Sequence, residues 1–361
     1  MNIIIEKKIL YDPVTKLAPI SEKRSTMPIL SNLFISFGKE KSYIYANDLD
    51  IIAVAYLDFH CEEDVNILIN GRRFYEILRE MNEEAIEMEL IENTLKIKQK
   101  NTEYILSIQD PNDFPDMTDI EETNEVKLDG DILLELIDKV SFATSKDETR
   151  YLLTGMYLEG KDNTVVAVGT DGFRMALLTR ETEGMYDFEG IVVPQKTLQE
   201  LKRIIDEKDK VNLFIGENNI KFSTGKIMLI SKLLEGKFPD FRNVLPDKNK
   251  NIASIDKKLF LKGLKKISAI VDKYELVNLS MYNNIMELKA ESDIGSAKEL
   301  IEIDYDGKDI SMNFNINYLM EMATHTYTET IIVKAPDSPG ATIFTEKDDE
   351  SYKNIIMPVK L

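Results

Sequence analysis

Lysine and arginine recur at helical spacing on several segments of this chain. In Arg72 to Met81, Arg72 and Arg79 stand seven apart, opposite an apolar stripe of Phe74, Ile77, Leu78 and Met81. In Gln195 to Glu207, Lys196 and Arg203 repeat that separation, away from Leu201 and Ile205. In Asp256 to Val271, Lys258, Lys262 and Lys265 form a line opposite Phe260 and Ile267, with Asp256 placed as the N-cap. Lys139, Lys146 and Arg150 are expected to cluster at the end of a helix beginning near Asp131. Rows of this kind suit contact with phosphates, which is independent of base sequence and weakened by salt. A solvated helix face would show the same residues without a partner. The helix around "NYLMEMATH" breaks the pattern, carrying no basic residue, so its face is neutral or used for something else.

Catalytic chemistry finds few footholds. The two histidines, His60 and His325, are far apart, and His60–Cys61 has no neighbour at metal-ligand spacing. "GENNIKFSTGK" lacks the spacing of a phosphate-binding loop, and no Gly-x-Ser-x-Gly occurs. Asp48 and Asp171 could be read as paired carboxylates of an acidic hydrolase. Asn-Asp-Leu and Thr-Asp-Gly are, however, turn sequences in which Asp bonds the backbone. A chain without a reaction centre or cofactor motif reads as a binding device.

The formal net charge is −19, from 64 acidic and 45 basic residues, which argues against coating nucleic acid with the whole surface. It leaves room for a local basic side, since acids crowd stretches such as "NEEAIEMELIE" and "TEKDDESY", read here as loops. No apolar run approaches membrane-spanning length, and "MNIIIEKKIL" shows no secretory leader. The single Cys61 suits a reducing cytoplasm.

The elements that position these residues repeat. Phe-Pro-Asp occurs at Phe114 and again at Phe238, 124 residues on. "ANDLDIIAVAYL" falls opposite "GTDGFRMALLTR", and "NILINGRRFYEILREM" opposite "GIVVPQKTLQELKRII", at nearly the same offset. A fainter third copy follows in "KYELVNLSMYN" and "ISMNFNINYLMEMATH". Each unit of roughly 120 residues is long enough for its own core. The texture is α+β: two helices packed on mainly antiparallel sheet. Val211 to Leu234 reads as hairpins, and Pro13 and Pro19 are expected to leave the first copy's leading helix short or irregular.

"RYLLTGMYLE" (150–159), "GTDGFRMA" (169–176), "SKLLEGKFPDFRNVLP" (231–246), "NIIMPVKL" (354–361) and "MPILSNLFI" (27–35) resemble the bacterial DNA polymerase III beta subunit, the sliding-clamp family. The resemblance runs in order along the whole chain. It implies three clamp domains, at residues 1–121, 122–246 and 247–361, with helices lining the inside of a ring and sheets outside. It further implies a head-to-tail homodimer around double-stranded DNA without sequence preference, no catalysis, no cofactor, no membrane and a cytoplasmic location. The implied protein partners are the polymerase catalytic subunit, the clamp loader, and other replication and repair proteins carrying short clamp-binding motifs.

By position, the resemblance assigns Arg24, Arg72, Arg73, Arg150 and Tyr151 to DNA. The helix faces add Lys146, Lys196, Arg203, Lys262 and Lys265. It also implies a groove for peptides with Gln and apolar anchors, formed by Leu153, Thr170, Gly172, Phe173, Arg174, Met175, Pro239, Val244, Asn315, Tyr318, Met357, Pro358 and Val359. Phe173 stands where the family usually carries a polar ring, and Asn243 where a basic residue is common, so the groove is carried over from the resemblance but its detailed peptide preference is not. A triplicated scaffold that never meets DNA is the remaining alternative.

Overall fold

The computed structural model describes residues 2–21, 27–117, 125–182, 187–246, 249–271 and 275–360. The first copy contains β1 (Asn2–Glu6), α1 (Lys7–Ser21), β2 (Asn32–Phe37), β3 (Ser42–Asn47), β4 (Ile51–Leu57), β5 (Val65–Asn70), α2 (Gly71–Glu80), β6 (Ala85–Ile91), β7 (Thr94–Gln99) and β8 (Thr102–Ser107). The second repeats that order with β9 (Glu125–Asp129), α3 (Gly130–Ser141), β10 (Gly155–Lys161), β11 (Thr164–Thr170), β12 (Arg174–Glu181), β13 (Phe188–Pro194), α4 (Gln195–Ile204), β14 (Lys210–Ile215), β15 (Asn219–Ser223) and β16 (Ile227–Lys232). The third has β17 (Asn251–Asp256), α5 (Lys257–Ser268), β18 (Leu276–Tyr282), β19 (Ile285–Ser292), β20 (Gly295–Glu302), the short extra β21 (Asp304–Asp306), β22 (Ile310–Asn315), α6 (Ile316–Thr324), β23 (Thr330–Ala335), β24 (Thr342–Glu346) and β25 (Asp349–Ile356).

Within each copy the strands pair into two antiparallel sets of four, and sets from successive copies then fuse. Antiparallel pairing of β4 with β16, in which Ile52 faces Ile230, makes an eight-stranded sheet. Pairing of β12 with β25, in which Met175 faces Ile355, makes a nine-stranded sheet that β21 completes beside β17. This fusion is why the two compact units, Met1–Leu134 with Lys196–Leu233 and Glu135–Gln195 with Leu234–Leu361, cut across the repeat. β8 and β20 end the two remaining four-stranded sheets.

The Phe-Pro-Asp corners have a packing role. Phe114 sits edge-on to Tyr45 at 5.1 Å between ring centroids and lies 6.2 Å from Phe34. Phe238 stacks on Tyr157 at 4.9 Å. Each corner thus covers an apolar face of its copy's sheet, and burying such a ring stabilises by about 2–3 kcal/mol.

Three expectations about the elements need correction. α1 runs through both Pro13 and Pro19 as a helix of 15 residues. Its buried stripe of Leu10, Val14, Leu17, Ala18 and Ile20 outweighs the backbone hydrogen bonds the prolines forgo. The acidic stretch 82–92 is mostly strand β6, whose Ile86 and Met88 are buried while its glutamates face outward. The second acidic stretch, 345–352, is also mostly strand, with Thr345 and Glu346 ending β24 and Asp349 to Tyr352 opening β25 around a turn at Lys347 and Asp348. As read from the sequence, the hairpins β14–β15–β16 form, and Asp256 caps α5 by accepting from the Leu259 amide at 2.8 Å.

Candidate functional site

The turn between β11 and β12 organises the site. The Thr170 hydroxyl accepts from the Gly172 amide at 3.1 Å, and Asp171 Oδ1 accepts from the amides of Phe173 and Arg174 at 2.9 and 3.0 Å. Gly172 has φ +89°, a conformation that favours glycine. Asp171 is therefore spent on its own turn. Asp48 does the same, accepting from the amides of Asp50 and Ile51 at 3.2 and 2.9 Å. The paired-carboxylate reading has no geometric support.

Beside the β11–β12 turn lies an apolar cavity of about 250 Å³. Leu153, Thr170, Gly172, Phe173, Arg174, Met175, Pro239, Val244 and Met357 line it. Phe238, Asp240, Phe241 and Ile355 join them. Phe238 and Asp240 were legible as part of the repeated corner, and Ile355 as part of the apolar end of the chain, whereas the repeat did not mark Phe241. Past Ile356 the chain leaves β25, but the Met357 amide still donates to the Phe173 carbonyl at 2.9 Å, and Val359 N donates to Asn313 O at 2.7 Å. Met357 and Val359 keep their side chains exposed, with Pro358 half-buried between them. The terminal residues are both the continuation of a core strand and a wall of the cavity.

Arg174, Asn315 and Tyr318 are placed differently from simple groove linings. Arg174 is buried: it pairs with Asp171 at 3.2 Å and with Glu321, donates to Phe142 O at 3.0 Å, and lies over the rings of Phe142 and Tyr318. Its cation is held by the protein. Asn315 caps α6, accepting from the Asn317 amide at 2.8 Å. Tyr318 and Glu321 line a second cavity of about 470 Å³ that shares Phe173 and Arg174 with the first. Burial and the nearby Asp171 push the Tyr318 hydroxyl up to about 12. The face of α6, which carries no basic residue, thus serves Arg174 through Tyr318 and Glu321.

Among the basic residues, Arg24 lies outside the described residues. On α2, Arg72 and Arg73 both pair with Glu76, at 3.0 and 2.9 Å, with their side chains largely exposed. Lys196 is held by Asp48 at 2.6 Å and is only a third exposed. Arg203 pairs with Glu200 at 3.2 Å. In the other compact unit, Lys262 and Lys265 stand exposed on α5 and make no ion pair among the described residues. Lys146 is exposed beside Arg150 in the lining of the second cavity. Arg150 donates to the Asp171 carbonyl and lays its guanidinium over Phe173, 4.9 Å from the ring centroid. Tyr151 is half exposed.

Lys139 does not join Lys146 and Arg150. It is 1% exposed, with Nζ 2.9 Å from Glu346 and 3.1 Å from Glu135, and it faces the rings of Tyr327 and Tyr352. The expected basic cluster put it at an exposed helix end, but that face of α3 meets strands contributed by the third copy, where Glu346 of β24 receives it together with Glu135 of α3 itself. No group of metal-ligating side chains occurs among the described residues, and no described helix is long and apolar enough to cross a membrane.

The sequence matches the DNA polymerase III beta subunit along three successive domains: N-terminal at residues 1–118, central at 127–240 and C-terminal at 242–360. The beta sliding clamp of Caulobacter vibrioides is 29% identical over 372 residues, and that of Pseudomonas aeruginosa 27% over 367, with both chains covered completely in each case. A crystal structure of the DNA polymerase III subunit beta from Pseudomonas aeruginosa shares the fold with a TM-score of 0.95 at 26% identity, again over 100% of both chains. With three matched domains in the order of the repeat and full-length likeness in sequence and fold, the chain belongs to the DNA polymerase III beta subunit family, the beta sliding clamps.

Proposed function

We propose that two copies of this chain close head to tail into a ring around duplex DNA and tether the replicative polymerase to it. The observation that carries this reading is the pattern of strand edges. β4, β12 and β20 hold equivalent places in the three copies, as do β8, β16 and β25. Within the chain β4 pairs with β16 and β12 pairs with β25, which leaves β20 and β8 for a second chain. Ile230 and Ile355, at these junctions, are 6% and 3% exposed, whereas their counterpart Ile105 on β8 is 64% exposed. Leu300 on β20 is also exposed. Unpaired apolar edges of this kind seek a partner strand. Two chains then supply six equivalent domains, with the boundaries 1–121, 122–246 and 247–361 in each.

A ring acts by topology. The tethered polymerase stays at high effective concentration near its template, and no bond cleavage is required of the clamp. Sliding needs contacts that are numerous, weak and blind to sequence. Exposed Lys146, Lys262 and Lys265 meet that need directly, and Arg72, Arg73, Arg150, Tyr151 and Arg203 through side chains that can exchange an internal partner for a phosphate. Lys196 contributes only by leaving Asp48, and Arg24 is assigned from position alone. The cavity beside Phe173 takes short peptides with Gln and apolar anchors, carried by the polymerase catalytic subunit, the clamp loader and repair proteins of the cytoplasm. Met175 and Met357 give the slot walls that adapt to varied anchors.

Sedimentation of the wild type and of Ile105→Asp tests the assembly. The wild type is expected at twice the chain mass and the variant at the chain mass. A monomeric wild type would remove the ring.

A further inference from the structure

The frame that builds the groove occurs twice in the chain. At the junction of the second and third copies, Thr170 and Asp171 hold the turn, Gly172 has positive φ, and Met357 N donates to Phe173 O at 2.9 Å. At the junction of the first and second copies, Asn47 Oδ1 accepts from Leu49 N at 2.8 Å, Asp48 holds the next two amides, and Leu49 has φ +74°. There Lys232 N donates to Asp50 O at 3.1 Å, the counterpart of the Met357 bond. A Phe-Pro-Asp corner completes each frame. Leucine in that turn conformation is strained, so its retention of the glycine's backbone marks the frame as inherited whole.

The filling differs. Strand register places Tyr45, between Phe34 and Val54, where the second copy has Val168, between Tyr157 and Leu177. Tyr45 is 4% exposed, packs edge-on against Phe114, and donates its hydroxyl to the Pro115 carbonyl at 2.5 Å. It therefore links the sheet to the corner. Val168 has no atom that can make that bond, and Pro239, the counterpart of Pro115, lines the 250 Å³ cavity instead. We infer that the first junction is a groove of the same construction sealed by Tyr45, and that the small side chain of Val168 is what leaves the second junction open. The inference rests on the groove reading above and adds the residue that decides which junction can bind.

The test uses the full-length chain and a labelled hexapeptide carrying glutamine, leucine and phenylalanine. Val168→Tyr is expected to weaken peptide binding at least tenfold, and Val168→Phe, which adds the ring without the hydroxyl, to weaken it less. In crystals of Tyr45→Val under xenon pressure, a xenon atom is expected between Phe114 and Pro115, absent from the wild type. Unchanged peptide affinity in either folded Val168 variant, or no xenon at the first junction, overturns the inference. A wild type that does not bind the peptide would refute the groove itself, and the xenon experiment then decides the sealing role of Tyr45 alone.

Discussion

The Met357 amide donates to the Phe173 carbonyl at 2.9 Å, so the last residues of the chain are fastened to the turn that shapes the groove. Removing Met357 to Leu361 takes away one wall and this bond while leaving β25 paired. Peptide affinity measured by fluorescence anisotropy is expected to fall at least tenfold, with the assembly mass unchanged. Normal peptide binding by the truncated chain would show that the tail is not part of the site.

Lys139 is a buried cation between two carboxylates and two rings, and removing one member of such a group leaves the others uncompensated. Lys139→Met is expected to cost about 3–5 kcal/mol, because Glu346, 4% exposed, would keep its charge without its partner. The melting transition should drop by roughly 10 °C. Adding Glu346→Gln should restore part of that stability, since the uncompensated charge goes with it. A drop of only a degree or two in Lys139→Met would mean the network is no more than incidental.

Salt dependence separates the basic residues. Lys262 and Lys265 make no ion pair among the described residues, whereas Arg72 and Arg73 share Glu76. Replacing Lys262 and Lys265 by serine should reduce the slope of log affinity against log salt for DNA by about 0.9 per phosphate no longer neutralised. The same change at Arg72 and Arg73 should reduce it less, because Glu76 already pairs with both guanidiniums and leaves them fewer phosphates to neutralise. Equal slopes in the wild type and the Lys262/Lys265 variant would take α5 out of the DNA-facing set.

Acid stability follows from Arg180. Burial alone would raise the Glu135 carboxyl, but hydrogen bonds and charge from Arg180 and Lys139 outweigh it and hold the group below its ordinary value. At Asp349 burial is likewise overcome, by bonds from Ser351 and by Arg180. Carboxyls depressed in the folded state stabilise it fully above their unfolded values of about 4, and that stabilisation is lost as pH falls through the lower folded values. Melting temperature is therefore expected to be flat between about pH 7 and 5 as far as these groups contribute, and to fall below about pH 4. Arg180→Met should melt lower at neutral pH and lose less on acidification. Parallel pH curves for the two proteins would contradict the assignment.

The repeat was legible because each copy spells the same elements with the same periodicities, and the corner Phe-Pro-Asp marks the same packing event twice. Helix positions followed from apolar spacing at Phe74, Leu201 and Phe260. The fate of individual charges did not. Lys139 and Lys146 look alike in sequence, yet one is fully buried and the other exposed, because what a helix face meets is set by strands distant along the chain. Arg174 was readable as a groove residue, but its burial depends on Phe142, Tyr318 and Glu321, which no local pattern connects. α1 survived two prolines for a similar reason: its apolar stripe is rewarded only once the sheets are in place.

Retention on closed DNA tests the central claim most directly. The chain is loaded with a bacterial clamp loader and ATP onto nicked circular plasmid, passed through a sizing column at moderate salt, and compared with the same plasmid cut once. A ring threaded by DNA stays with the circle and is lost within minutes from the linear form. Equal retention on both, or none on the circle, would contradict a topological link.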